Sequence, residues 1–199
     1  MNKLNLSLLI IASLLLSGCF PTVFAGATKA TVAVAKDRSV GDAVEDAKIS
    51  AKIKANFIKD GFRALYAKID VEVIDGRVMY TGVVDSEEDI MKALEIAWNQ
   101  EGVKEVLNEL QTDKNSGKFD GTQYARDSLI TAQIKAKTIV NRDIKFVNYT
   151  IVTSNNIVYI FGIARSTEEL EHVASIASEI RGVEKVITHA RVSNAPSTL

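Results

Sequence analysis

One cysteine, one tryptophan and two histidines are all that this 199-residue chain holds of the residues most often recruited for redox, stacking and metal chemistry. The cysteine is Cys19, so nothing after it can form a disulfide, and any folded domain must hold by packing alone. His172 and His189 have no cysteine near them and too few companions for a metal site. No glycine-rich phosphate loop or nucleophile elbow occurs, so the sequence predicts no catalytic residue, no cofactor and no enzymatic role. A formal net charge of −1 offers no whole-molecule attraction for nucleic acid. The uncharged apolar run over residues 4–16 falls short of the roughly 20 residues that a membrane-spanning helix needs.

That run has another use. Lys3 precedes it and small residues close it, the layout of a secretory signal peptide. The closing Leu16-Ser17-Gly18-Cys19 resembles the bacterial lipobox, which implies that residues 1–18 are removed and that acylated Cys19 becomes the membrane anchor. An ordinary signal peptide cut near Ala25 is the alternative. Phe20 stands where an Asp would favour inner-membrane retention in such lipoproteins, so the resemblance implies an outer-membrane anchor on the periplasmic side.

The remainder repeats itself with a period of about eighty residues, which suits a duplicated small domain. Asp46, Ile49, Ala51, Ile53, Lys54 and Ala55 recur as Asp127, Ile130, Ala132, Ile134, Lys135 and Ala136. Val78, Gly82, Ser86, Glu88, Gly102, Val103 and Val106 recur as Val158, Gly162, Ser166, Glu168, Gly182, Val183 and Val186. The reading is a tether over residues 19–43, a first domain over 44–112, a flexible polar linker over 113–123, a second domain over 124–192 and a tail over 193–199. The first domain carries nine basic against fourteen acidic side chains, a net −5; the second carries nine against seven, a net +2.

Each copy opens with apolar residues four apart (Ile49, Ile53 and Phe57; Ile130 and Ile134), the stripe of an amphipathic helix. Two alternating stretches follow around Asp75-Gly76 or Asn155-Asn156, pairs that favour a tight hairpin turn. Ser86 and Ser166 cap a second helix, and acids suit its positive end: Asp85, Glu87, Glu88 and Asp89 in one copy, Glu168 and Glu169 in the other. Its apolar stripe is read as Ile90, Leu94, Ala97 and Trp98, with Gly102 and Gly182 in the left-handed position that ends it. A last strand closes each unit, residues 103–110 and 183–192. Gly82 and Gly162 are expected to let the strand pack closely where it meets the next helix. The fold expected is α+β: two tandem α-β-β-α-β units, each a three-stranded sheet with two helices on one face.

The strand-glycine and later Gly-Val pairs, in this order of elements, resemble the BON domain, and the whole layout resembles the dual-BON lipoproteins of the Gram-negative envelope. That resemblance implies a periplasmic module that binds phospholipid, without catalytic chemistry.

The two first helices differ where it matters. Lys48, Lys52, Ala55 and Lys59 share the side away from the apolar stripe in the first copy. The aligned positions in the second are Leu129, Gln133, Ala136 and Val140, flanked by Arg126 and Lys137. Apolar surface with a basic rim is the composition that meets anionic headgroups. The resemblance implies a large aromatic on this helix where Leu129 aligns. The expected partners are the membrane, through Cys19, and anionic phospholipid, through this helix. Two alternatives stay open: the face packs against the first domain, or the protein is an envelope protein-interaction scaffold whose only lipid contact is Cys19.

Overall fold

The computed structural model describes residues 39–59, 63–113 and 120–193. The signal peptide, Cys19, most of the tether and linker, and the tail after Ser193 lie outside the described residues. The first domain runs α1 (Val40–Lys59), α2 (Arg63–Lys68), β1 (Ile69–Ile74), β2 (Arg77–Val84), α3 (Glu87–Trp98) and β3 (Glu105–Thr112). The second runs α4 (Gly121–Ile139), a single 3-10 turn (Phe146–Asn148), β4 (Tyr149–Ser154), β5 (Ile157–Ala164), α5 (Thr167–Ser178), β6 (Lys185–Thr188) and β7 (Arg191–Val192). In each domain the hairpin is antiparallel and the strand after the second helix returns parallel to the middle strand. The α+β duplicate is as expected, with α2 and the 3-10 turn added.

Both hairpin turns use left-handed backbone, at Asp75 and Gly76 (φ 55° and 75°) and at Asn155 and Asn156 (φ 49° and 63°), the residue types that tolerate it. Each turn is clipped by a buried carboxylate from the first helix. Asp46 accepts from the backbone N–H groups of Asp75 and Gly76, both at 2.8 Å, and Asp127 from those of Asn155 and Asn156, both at 2.9 Å. The repeat thus preserves an aspartate because it satisfies two donors that a tight turn strands.

Gly82 and Gly162 are required by a different neighbour from the one expected. A Cβ would lie 2.1 Å from the Lys68 carbonyl oxygen and 2.3 Å from that of Asn148, so the close approach is to the entry of the adjacent strand rather than to the following helix. Gly102 and Gly182 are left-handed (φ 89° and 97°), yet the helices already end at Asn99 and Glu179, and the glycines serve the turn beyond. Ser86 and Ser166 do cap, each accepting from the N–H three residues on at 3.2 Å.

Helices α1 and α3 cover one face of the first sheet, with Ile53, Phe57, Val78, Tyr80 and Ala93 at the centre; α4 and α5 do the same in the second, around Ile134, Val158, Ile160 and Val173. The opposite faces of the two sheets are also apolar, and they cover each other. Ile74 and Met79 pack against Tyr159 and Phe161, with Leu107, Val152 and Ile187 around them. Arg77, itself buried, places its guanidinium 5.2 Å from the Phe161 ring and donates to the His189 carbonyl oxygen at 2.9 Å. Glu105 accepts from Arg77 in its own domain and from Arg191 of the other, and Glu109 meets His189 Nε2 at 2.7 Å. The two domains are therefore one four-layer body, helices outside and sheets inside.

Trp98 departs from its expected place. The buried stripe of α3 is Ile90, Ala93, Ile96 and Ala97; Leu94 is half-buried and Trp98 is 55% exposed. At 100° per residue Trp98 lies well round the helix from the centre of that stripe, so large size alone misassigns it. The last strand of the second domain is also interrupted, pairing with β5 before and after His189-Ala190 in the same register.

Two outcomes follow from these contacts. Replacing Asp127 with Ala strands two turn N–H groups and is expected to cost about 2–3 kcal/mol, lowering the calorimetric melting temperature by about 4–10 °C; Asp127→Asn retains an acceptor and loses less. The Arg77 guanidinium holds the Glu105 carboxyl below its ordinary value of 4.5. A carboxylate depressed in the folded state adds stability that is present above the unfolded value and lost as pH falls through the folded one. The urea midpoint should therefore drop on acidification below about pH 4.5, and Glu105→Gln should lower the midpoint at pH 7 and flatten that part of the acid loss.

Candidate functional site

Helix α4 begins where Asp120 accepts from the N–H groups of Thr122 and Gln123 at 2.9 and 3.0 Å. Asp127, Ile130, Ile134 and Thr138 form its buried side, and the Thr138 hydroxyl donates back to the Ile134 carbonyl oxygen at 2.9 Å. The helix is thereby fixed by one face, and its opposite face points to solvent.

Of the six residues predicted for lipid contact, Leu129, Gln133, Ala136 and Val140 stand on that outer side and Arg126 and Lys137 along its margin. Leu129 is 59% and Val140 78% exposed, and Arg126, Gln133, Ala136 and Lys137 are exposed as well. Val140 is the C-cap, so it projects from the last turn rather than from the helix body. The face does not pack on the first domain; the sheets do that. Extending the same helical wheel adds three residues that the sequence reading passed over: Ala125, Ala132 and Ile139, the last 64% exposed. Lys135 stands on the other flank, so the apolar strip has cations on both sides. Among the described residues no ion pair engages Arg126, Lys135 or Lys137.

The histidines are structural partners. His172 Nε2 lies 3.3 Å from Asn141 Nδ2, and His189 joins the two domains through Glu109. Among the described residues no cluster of histidines and acids could hold a metal ion. The acids beside α3 are taken up locally: Asp85 by Lys68, Glu88 by Lys92 and Glu87 by the Thr112 hydroxyl. Glu169 is more than a helix-end acid. It is buried and accepts from the N–H groups of Lys145 and Arg165, at 2.6 and 2.8 Å, and from Arg165 Nε at 3.0 Å, pinning the loop that leads into β4.

An open cleft of about 1520 Å³ lies between the edge of β1 and the flank of α4 and β4. Asp70, Glu72 and Asp113 line its first-domain wall, with Ser128, Thr131 and Lys135 opposite. Burial pushes the Asp70 carboxyl up, with Lys54 pulling it down less strongly. Three carboxylates on one wall make the cleft a poor seat for a phosphate headgroup. No helix among the described residues is long and apolar enough to cross a membrane.

Comparison with known proteins fits this architecture. The BON domain family model matches residues 45–114 and 126–194. The chain is 40% identical to "Uncharacterized protein in gshII 5'region" of Anaplasma centrale, over 76% of this chain and 97% of that one. It is 30% identical to "Outer membrane lipoprotein DolP" of Haemophilus influenzae, over 92% of this chain and 93% of the relative, and 31% identical to "21 kDa hemolysin" of Actinobacillus pleuropneumoniae, over 75% of each. Two BON matches, two sheets built on one plan and a relative aligned almost end to end agree: the chain belongs to the BON family, as a dual-BON-domain, DolP-like protein.

Proposed function

We propose that this envelope-associated BON protein is a non-enzymatic outer-membrane lipoprotein, anchored through acylated Cys19 on the periplasmic side, whose second domain binds anionic phospholipid and supports envelope integrity. The observation that carries the reading is the outward strip of α4, an apolar line of Leu129, Ala136, Ile139 and Val140 between cations on both flanks. The printed name of the Haemophilus relative, an outer membrane lipoprotein, supports the location.

The strip suits a helix lying in the plane of the interface. Its apolar line sits at the acyl boundary while Arg126, Lys135 and Lys137 reach the phosphates. Full burial of Leu129 contributes about 1.5–3 kcal/mol, and each cation near an anionic surface about 1 kcal/mol. These are small terms, and a lipid anchor makes them sufficient by holding the domain at a high effective concentration beside the bilayer. The first domain places Lys48, Lys52 and Lys59 where α4 has Leu129, Gln133 and Val140, so its equivalent helix keeps only Ala55 and Ile58 of the line and interrupts it with lysine.

Flotation of residues 20–199, a soluble form without the anchor, tests this. Vesicles containing phosphatidylglycerol or cardiolipin are expected to carry the protein up, and vesicles of phosphatidylcholine alone are not. Leu129→Asp should weaken binding about tenfold or more with an unchanged melting temperature, because the side chain is exposed. Raising salt should weaken it further. Absence of flotation on every lipid would refute the reading and leave Cys19 as the membrane contact of a protein-interaction scaffold.

A further inference from the structure

The first domain has an apolar face of its own, on a different helix. Met91 and Trp98, seven residues apart on α3, are 66% and 55% exposed and lie on one side with half-buried Leu94 between them. Exposed Glu87, Glu88 and Glu95 surround them, with Lys92 offsetting Glu88. The second domain has Glu171, Ala174 and Ser178 at the places of Met91, Leu94 and Trp98. The face is therefore not imposed by the fold, which makes do with polar or small residues there. Trp is among the side chains that most often anchor protein contacts, and Met is enriched at interfaces. An acidic rim turns this face away from an anionic bilayer.

The surface that complements it is on the same molecule but cannot reach it, since both faces are exposed together in the folded chain. The α4 strip offers small residues, Ala125, Ala132 and Ala136, beside Leu129 and Ile139, where α3 offers two large knobs. Met91 and Trp98 are about 10 Å apart along their helix, the same two turns that separate Leu129 from Ala136. Laid antiparallel, the α3 end bearing Glu87 and Glu88 meets the α4 end bearing Lys135 and Lys137, and Glu95 lies toward Arg126. The helix dipoles also oppose in that arrangement.

We propose that the α3 face of one molecule docks on the α4 face of a second copy, so that the protein associates head to tail. Such a contact is heterologous: the assembly keeps an unused α3 face at one end and an unused α4 face at the other, so it grows as a chain instead of stopping at a dimer. The proposal shares the α4 strip with the lipid reading but does not rest on it, and its test contains no lipid.

The experiment is sedimentation equilibrium of residues 20–199, with Trp98 emission as a second readout; Trp98 is the chain's one tryptophan, so its signal reports this face alone. The expected result is a weight-average mass that rises with concentration past the dimer, with Trp98 emission shifting to the blue in step and both effects weakening in salt. Trp98→Glu and Leu129→Asp should each weaken association tenfold or more. An equal mixture of the two variants should restore a dimer and nothing larger, because one supplies an intact α4 and the other an intact α3. Restoration also shows that both variants are folded. A wild-type chain that stays monomeric up to about 1 mM, the effective concentration a short tether sets, overturns the proposal. So do single variants that abolish association while their mixture fails to restore it. A Trp98 shift on anionic vesicles, in a chain that stays monomeric without them, would reassign the face to the bilayer and equally overturn it.

Discussion

A three-stranded sheet with helices on one side has a second side, and what covers it governs everything else in this molecule. Here the uncovered sides are apolar, carrying Met79 in one domain and Tyr159 and Phe161 in the other, and they close on each other. Water is excluded from both faces of β2 and β5, so the strands carry the core and the interface at once. The charged groups that enter this layer, Arg77 above all, do so with partners, as burial of an ion demands. Because the sheets take the inside, the helices take the outside, and α4 is presented to solvent with its cations.

Much of this was legible in the chain. The duplication, the stripe of Ile49, Ile53 and Phe57, the hairpin pairs and the capping serines all report local physics, where spacing and residue type decide the outcome. Trp98 was misread because a large apolar residue near the end of a helix looks like core, whereas its angle from Ile90 and Ala97 places it outside. The clip formed by Asp46 and Asp127 was visible only as a repeated letter, since the turn it satisfies begins 29 residues further on in the first copy and 28 in the second. The sheet-to-sheet contact was hidden for a related reason. Met79 and Phe161 fall on the alternate positions of strands whose pattern had already been accounted for by their helices.

The candidate site was legible to a similar depth. Comparing two copies of one fold removes what the fold requires, and the residue left at Leu129 in place of Lys48 is then informative. Ile139 and Lys135 escaped notice because the comparison was anchored on the lysines of α1, and Ile58, the counterpart of Ile139, is itself exposed and apolar. Subtraction of one copy from the other finds what differs between them and misses what they share.

Placing both structural burdens on the strands has a consequence for how such a protein changes over generations. A substitution on β2 or β5 is judged twice, once by its own domain and once by the other, so the inner layers are held almost still. The outward sides of α3 and α4 answer to neither constraint. The two copies are consequently free to acquire unlike surfaces on a common frame, one acidic around Trp98 and one basic around Leu129, without either change being felt by the fold.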